Sequence, residues 1–254
     1  MGAAFGIATE GLTKRFGGFV ALDDVSMTVA PASFHALLGE NGAGKSTLVK
    51  CIMGYYHADE GQVLVDGKPF TMTNPRDAHS HGIGMVYQHF TLVPSMTVAE
   101  NLVMARADVP AFIDWKAERG RLDTFIERMP FQVPLGGRVQ DLSAGERQKT
   151  EILKQLYLDR HFLILDEPTS VLTPGEADEM LSLLRGMTEA GTLTVLMISH
   201  KFREVMGYAD EVTVLRRGRY AGGGRVKNLT RADMASMMIG DAELPRSDAR
   251  AGQR

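Results

Sequence analysis

The chain has 254 residues, 44% hydrophobic and 23% charged, which is enough to bury a sizeable core in one large α/β domain or in a core with a subdomain. Its 28 basic and 31 acidic residues give a net charge of −3. That balance provides no chain-wide basic field, so we expect no nucleic-acid partner. The single cysteine, Cys51, excludes an internal disulfide framework and a multi-cysteine zinc site. No apolar run approaches the roughly 18 residues that span a bilayer, and Met1–Glu10 lacks the pattern of a signal peptide, so we expect a cytoplasmic protein.

The first third of the chain is typical of strands and turns. Three β-rich segments predict strands at Phe5–Thr9, Val25–Val29 and Phe34–Leu38. The last of these leads through a glycine-rich turn into a predicted helix at Lys45–Met53. The remaining predictions of this third are, in chain order, a hairpin around Asp66-Gly67, a short helix capped by Asn74, and a strand at Ile83–Gln88.

The middle of the chain changes to an α-rich segment of about residues 90–158, which we interpret as an inserted helical subdomain. Capping boxes predict helix starts after Thr97 and Ser143. An apolar stripe predicts an amphipathic helix at Lys116–Met129. Strand and helix then alternate again, with apolar strands at Phe162–Leu165 and Thr194–Ile198, a capped helix after Thr173, a hairpin around Arg217-Gly218 and a final helix at Thr230–Ile239. Residues 241–254 are polar and predict a disordered tail.

The strongest chemical signal is the glycine-rich turn between the third strand and the first helix, Gly39-x4-Gly44-Lys45-Ser46. Glycines let backbone N–H groups converge on phosphate oxygens, and the helix directs its positive N-terminus at the anion. Lys45 would reach the β- and γ-phosphates, and the Ser46 hydroxyl would ligate Mg²⁺. A chance match is the alternative, and the strand before and the helix after the turn argue against it. The predicted phosphate loop comprises Gly39, Glu40, Asn41, Gly42, Ala43, Gly44, Lys45, Ser46 and Thr47.

A second signal is the pair of carboxylates that ends the apolar strand at Phe162–Leu165. Charged groups at the edge of a buried sheet are costly to desolvate, so a function is expected for them. Asp166 would hold Mg²⁺ through water, and Glu167 would be the general base that polarises the attacking water. Without other signals the pair could be a helix cap or an ion-pair device, but the phosphate loop upstream favours catalysis.

A third segment, Ser143-Ala144-Gly145-Glu146, lies just before a helix and upstream of the two carboxylates. Taken alone it is best interpreted as a plain capping box. A cap and a phosphate site are compatible, because both use the N–H groups at a helix N-terminus.

The order of these segments, followed by Ser199-His200, resembles the ATP-binding cassette (ABC) ATPases of membrane transporters over about residues 7–240. The resemblance implies an α/β fold: a P-loop NTPase core with a mainly parallel sheet, an N-terminal antiparallel β subdomain and an inserted α-helical subdomain. It implies that Phe16 stacks on adenine, Gln88 contacts Mg²⁺ and the attacking water, and His200 contacts the γ-phosphate. These three could instead be a core aromatic, a strand-end residue and a surface or core histidine. The signature segment that faces the nucleotide of an opposite cassette would be Ser143, Ala144, Gly145 and Glu146.

The resemblance further implies that the chain hydrolyses ATP with Mg²⁺ and thereby powers a permease. It also implies that the chain lies at the cytoplasmic face of the membrane. A second cassette, the transmembrane permease subunits and, indirectly, a solute-binding protein are the implied partners. Segments such as Gly82–Phe90 and Glu151–Lys154 resemble importers of simple sugars and nucleosides, with a lean towards nucleosides at Gln88-His89-Phe90. The apolar stretch from Phe90 to Met96 could form the permease-docking groove or fill the core. Competing functions are a soluble ABC protein acting on nucleic acid or ribosomes, and a P-loop kinase or small GTPase.

Three features depart from the pattern of the family. The signature has Ala144 and Glu146 where Gly and Gln are common, and the negative charge of Glu146 is expected to weaken that site. Thr173 stands where many cassettes have Asp, although it can still cap its helix. Importers of this subfamily usually carry two cassettes in one chain of about twice this length, so the chain is expected to be the N-terminal half of such a protein or a half-size subunit.

Overall fold

The computed structural model of the protein describes residues 3–129 and 131–240, so the predicted tail at 241–254 lies outside the described residues. The strands are β1 (Ile7–Phe16), β2 (Phe19–Val29), β3 (Phe34–Leu38), β4 (Glu60–Val65), β5 (Lys68–Pro69), β6 (Ile83–Val86), β7 (Phe162–Asp166), β8 (Thr194–Ile198), β9 (Glu211–Arg216) and β10 (Arg219–Arg225). The α-helices are α1 (Lys45–Ile52), α2 (Pro75–Ser80), α3 (Val98–Met104), α4 (Trp115–Ile126), α5 (Ala144–Tyr157), α6 (Pro174–Glu189), α7 (Phe202–Tyr208) and α8 (Arg231–Ile239).

The N-terminal part of the chain forms an antiparallel sheet with the strand order β2-β1-β4-β5. Strands β1 and β2 pair across the turn at Gly17 and Gly18, in a register that places Phe16 opposite Phe19. Both strands are longer than predicted. Exposed polar residues lie between buried ones in both strands, such as Glu10 in β1 and Ser26 in β2, and they obscure the strand pattern in the sequence.

The central sheet has six strands in the order β10-β9-β3-β8-β7-β6. All of its neighbouring pairs are parallel except β9 and β10. Every residue of β3, β6 and β8 is buried, as expected for parallel strands covered on both faces. The prediction of a mainly parallel sheet beside an antiparallel N-terminal sheet is therefore confirmed.

The segment between β6 and β7 is helical and has a core of its own. Helices α3, α4 and α5 pack around side chains that include Leu102, Leu122 and Leu153, all of them fully buried. The predicted capping boxes of α3, α5 and α6 are present, at Thr97, Ser143 and Thr173. The bounds of 90–158 for a helical subdomain stay a prediction.

Two further differences from the predicted elements matter for the site. Helix α7 was not predicted, because it spans only seven residues and buries only Glu204 and Val205. Strand β6 ends at Val86, so Gln88 lies in the segment beyond it. In the part of the chain that the structure describes, no helix is both long and apolar enough to cross a membrane.

Candidate nucleotide-binding and catalytic site

The segments that carry the predicted catalytic chemistry meet at the carboxyl ends of the parallel strands of the central sheet. Strand β8 lies between β3 and β7, and β6 lies beyond β7. Because these four strands are parallel, their carboxyl ends align. The phosphate loop follows β3, His200 follows β8, Glu167 follows β7 and Gln88 follows β6. Ligands of open parallel sheets bind outside these strand ends, so the sheet order brings these parts of the predicted site together.

The phosphate loop leaves the N-terminus of α1 open to a ligand. The residue that precedes the helix, Gly44, makes no side-chain capping bond and has φ 103°. A Cβ at that position would stand 2.9 Å from both Ala21 O and Leu22 Cδ2. Only glycine fits this combination of backbone angle and close approach. The free N–H groups of α1 then form an anion-binding terminus.

A cavity of about 270 Å³ lies over the loop. Its volume is close to the lower end of the roughly 300–1,000 Å³ of small-molecule pockets, so it has room for a phosphate tail and leaves the rest of a nucleotide outside. Gly39 and Glu40, the first two residues of the predicted loop, do not line it, and neither does His200. The residues that line it are Phe19, Ala21, Asn41, Gly42, Ala43, Gly44, Lys45, Ser46, Thr47, Gln88, Asp166, Glu167 and Ile198.

Lys45 reaches into the loop from the start of α1. Its ammonium group donates hydrogen bonds to Gly39 O at 2.6 Å and Glu40 O at 2.9 Å. The side chain is buried, and this burial lowers the Lys45 pKa, while the negative charges of Glu167, Asp166 and Glu40 oppose the shift. The wall of the cavity therefore carries one cation, Lys45, and the two adjacent carboxylates Asp166 and Glu167.

The two carboxylates differ in their surroundings. Burial, aided by the charge of Glu167, raises the pKa of Asp166. Glu167 has φ 48°, in the left-handed region that non-glycine residues rarely occupy. Its N–H donates to Ile198 O at 3.0 Å, which holds this backbone conformation. Strained backbone of this kind clusters at active sites.

His200 contacts Glu167 directly, although the two residues are 33 positions apart. Its Nδ1 lies 3.1 Å from Glu167 Oε1, and its side chain is 60% exposed while that of Glu167 is 22% exposed. The imidazole is therefore the more exposed member of this pair, and it adjoins the cavity wall through Glu167 without lining the cavity itself. A group bound against this pair would meet both side chains.

Phe16 lies outside the cavity, packed edge-on against Tyr56 with 5.1 Å between ring centroids. The aromatic that lines the cavity is Phe19, which pairs with Phe16 across the β1–β2 turn and is 64% exposed. Sequence reasoning missed Phe19, although it is the second aromatic of the same hairpin. A stacking role for Phe16 stays a prediction.

The predicted signature segment lies away from this cavity. Ser143 caps α5, and its hydroxyl donates to Glu146 Oε2 at 2.8 Å while accepting from the Glu146 N–H at 3.2 Å. The Ser143 backbone N–H also donates to Glu146 Oε2 at 2.8 Å, and this bond, followed by the one from the hydroxyl, lowers the pKa of Glu146. Gly145 is buried against Glu176, whose carboxylate a Cβ on Gly145 would overlap. Ala144, Gly145 and Glu146 belong to the first turn of α5, and none of the four signature residues lines the cavity.

The residues of the cavity fit a hard divalent cation such as Mg²⁺. The Ser46 hydroxyl, the Gln88 amide oxygen and the Asp166 carboxylate are all oxygen donors on its wall. A cation would also relieve the repulsion between Asp166 and Glu167. Within residues 3–129 and 131–240 no group of three or more His, Cys, Asp and Glu side chains could hold a metal. Phosphate oxygens would have to complete the coordination, as is usual for Mg²⁺.

The family described as ABC transporter matches residues 22–170, from β2 to the turn after Glu167. The chain belongs to the ABC transporter family. As a cassette of this family it is 38% identical to the glucose import ATP-binding protein TsgD13 of Haloferax volcanii, over 91% of its own length and 47% of that protein. It is 39% identical to the nucleoside import ATP-binding protein NupA of Lactococcus lactis subsp. cremoris, over 90% and 45%. The cassette therefore spans about half the length of the curated relatives it matches.

Solved structures give the same family assignment. The ADP conformation of MJ1267, an ATP-binding cassette of an ABC transporter, superposes with a TM-score of 0.78 and 27% identity, covering 93% of this cassette and 99% of that chain. A bacterial Atm1-family ABC exporter with ATP bound superposes with a TM-score of 0.72 and 27% identity, covering 92% of this cassette and 41% of that chain. The predicted P-loop NTPase fold and the resemblance to ABC ATPases are both confirmed.

Proposed function

We propose that this chain binds ATP and hydrolyses it with Mg²⁺ to power an ABC importer. The observation that carries the proposal is the placement of Lys45, Asp166 and Glu167 on the wall of one cavity, at the uncapped N-terminus of α1. A cation, two carboxylates and free backbone N–H groups are what the hydrolysis of a nucleoside triphosphate requires.

In this mechanism the side chains act by positioning and charge stabilisation. The Lys45 ammonium exchanges its bonds to the loop carbonyls for bonds to the β- and γ-phosphates. Glu167 accepts a proton from the attacking water, and His200, 3.1 Å from Glu167, stabilises the charge that develops on the γ-phosphate. Ser46, Gln88 and Asp166 would hold a bound Mg²⁺, which would supply Lewis-acid charge neutralisation.

A complete site is proposed to need a second cassette. The cavity is small, and Ser143 and Gly145 do not line it. In the shared arrangement the signature segment of each cassette closes over the nucleotide of the other. The side chain of Glu146, turned back onto Ser143, occupies the hydroxyl that would meet the opposite γ-phosphate. We therefore propose that this signature is the weaker of the two in the pair.

The transported molecule is proposed to be a simple sugar or a nucleoside, since relatives are named for the import of glucose, nucleosides and ribose. The permease would dock beside Gln88, at the cytoplasmic face of the membrane. Val93 is 44% exposed there, and Pro94 is exposed as well, while Leu92 is buried in the helical core. The apolar stretch of this region is thus divided between core and surface.

The proposal is tested first by ATP binding and turnover of the purified full chain. Lys45→Ala should lower the affinity for the triphosphate at least tenfold, because a phosphate contact is lost. Glu167→Gln should keep the affinity within about twofold and lower turnover on the order of a hundredfold or more, since general-base catalysis contributes about that much. Isothermal titration with a non-hydrolysable ATP analogue and a phosphate-release assay measure the two. Wild-type protein that binds no ATP would disprove the proposal.

The importer role is tested separately, in membrane vesicles that hold the permease. Val93→Asp should lower transport and permease-stimulated turnover, while basal ATP affinity stays unchanged because Val93 does not line the cavity. Met104→Asp is the matched control, since Met104 is also exposed but lies at the far end of α3. Transport that withstands Val93→Asp as well as the control argues against docking at this surface.

A further inference from the structure

A buried carboxylate connects the two segments that carry Glu167 and His200. Thr169 lies two residues after Glu167, and Ser199 and Lys201 flank His200. Thr169, Ser199 and Lys201 all contact the carboxylate of Glu204, a residue of α7. We call these four residues, Thr169, Ser199, Lys201 and Glu204, the Glu204 clamp. None of them lines the nucleotide cavity.

The hydrogen bonds of the clamp form two parallel chains that end on the two oxygens of one carboxylate. The Thr169 hydroxyl donates to Glu204 Oε1 at 2.6 Å and accepts from Lys201 Nζ at 2.9 Å. The Ser199 hydroxyl donates to Glu204 Oε2 at 3.3 Å and accepts from the Lys201 N–H at 3.0 Å. Lys201 Nζ also donates to Thr169 O at 2.9 Å and lies 3.3 Å from Glu204 Oε1.

Burial gives these bonds their strength. Thr169, Ser199 and Glu204 are each less than a tenth exposed. In such surroundings a charge-assisted hydrogen bond is about twice as strong as a neutral one, and loss of one partner leaves the other unsatisfied. The turn after Glu167 and the segment of His200 therefore cannot separate without breaking buried bonds to Glu204.

We propose that Glu204 is a positioning residue for the reaction, which holds His200 and Glu167 at their 3.1 Å approach. The inference rests on the proposed function of these two side chains. His200 is 60% exposed, and within the described residues its polar contact is with Glu167. Its place is thus set by the backbone on either side, which the clamp fixes through Ser199 and Lys201. A misplacement of about 1 Å in such a pair can reduce catalysis about a hundredfold.

Variants of Thr169 separate positioning from simple packing. Thr169→Val removes the hydroxyl with almost no change of shape, and Thr169→Ser keeps it. Thr188→Val is the matched control, because Thr188 is equally buried and its hydroxyl donates only to Arg185 O within α6. Glu204→Gln gives a second line of evidence, since a carboxamide can accept only one of the two hydroxyl bonds.

The first measurement follows the imidazole of His200 by NMR in the full chain, assigned with His200→Gln. Introduced into the wild-type background, Glu167→Gln is expected to shift the His200 signal, because the two side chains are in contact. The clamp requires that Glu167→Gln causes the same shift in the Thr169→Ser and Thr188→Val backgrounds. In the Thr169→Val and Glu204→Gln backgrounds the shift should be at least halved. A Glu167-dependent shift of unchanged size in Thr169→Val overturns the inference.

The second measurement separates turnover from binding. We expect kcat to fall about tenfold in Thr169→Val and Glu204→Gln, with the ATP affinity within twofold, because only the positioning of the pair changes. Thr169→Ser should restore kcat to within about twofold of wild type. Equal kcat in Thr169→Val and Thr188→Val contradicts the inference. Wild-type protein without ATPase activity would instead disprove the proposed function, and the NMR coupling would still decide the clamp.

Discussion

His35 is a buried histidine in the middle of the central sheet, on β3 between β8 and β9. Its Nε2 lies 2.9 Å from Thr213 Oγ1. Its Nδ1 is buried, and no other described residue hydrogen-bonds to it. Burial lowers the pKa of His35 from 6.5 to about 4, against the opposing charge of Asp210. In the protonated ring the proton on Nδ1 would lie in the core with no hydrogen-bond acceptor among the described residues.

The consequence for stability follows from proton linkage. Well above pH 6.5 the ring is neutral in both the folded and the unfolded chain, so it has no effect on the pH dependence there. Below pH 6.5 the unfolded chain binds a proton that the folded chain excludes, so the free energy of unfolding falls as the pH falls. With the pKa at about 4 and about 1.4 kcal/mol for each pH unit, the loss attributable to His35 is about 2 kcal/mol between pH 6.5 and 5.

The test compares wild type with His35→Gln by urea denaturation at intervals between pH 5 and pH 8. The variant changes the free energy of unfolding by a constant amount above pH 7. Between pH 7 and pH 5 the free energy of unfolding of wild type should fall by about 2 kcal/mol more than that of the variant, because the variant lacks the titrating ring. The same change at exposed His57 controls for the loss of a histidine. A difference between wild type and His35→Gln that stays constant from pH 8 to pH 5 refutes the reasoning.

Three further predictions concern other buried groups. Glu151→Ala should lower the free energy of unfolding by about 3 kcal/mol in urea denaturation, since it leaves the ammonium of Lys154, 2.7 Å away, buried and uncompensated. Adding Lys154→Met should recover most of this loss, and a double variant that recovers none of it would contradict the account. Gly145→Ala should cost about 1 kcal/mol by displacing Glu176 from its capping box, and the cost should vanish when Glu176→Ala is present. Burial raises the pKa of Cys51 to about 11, so folded protein at pH 8 should react with an aromatic disulfide at least a hundredfold more slowly than unfolded protein, and equal rates would contradict this.

The local chemistry of the site could be predicted from the sequence because each part of it is encoded by neighbouring residues. A phosphate loop needs glycines, a lysine and a hydroxyl within eight positions, and the chain supplies them from Gly39 to Ser46. A helix cap needs two residues three positions apart, which is why Thr97, Ser143 and Thr173 could be recognised. Buried parallel strands such as β8 are short apolar runs for the same local reason.

Contacts between distant segments could not be predicted in this way. The approach of His200 to Glu167, the bonds of Glu204 to Thr169 and Ser199, and the presence of Phe19 on the cavity wall all depend on which strands are neighbours. No single segment encodes that order. Helix α7 illustrates the limit, because too few of its residues are buried to give a helical pattern.

The sequence alone thus determined which chemical groups follow each strand and which family these groups indicate. The tertiary structure decided which of the strand ends lie next to each other. The physical reason is that the sheet order, with β8 between β3 and β7, is set by packing free energy summed over the whole core, whereas motifs are set by geometry within a few residues.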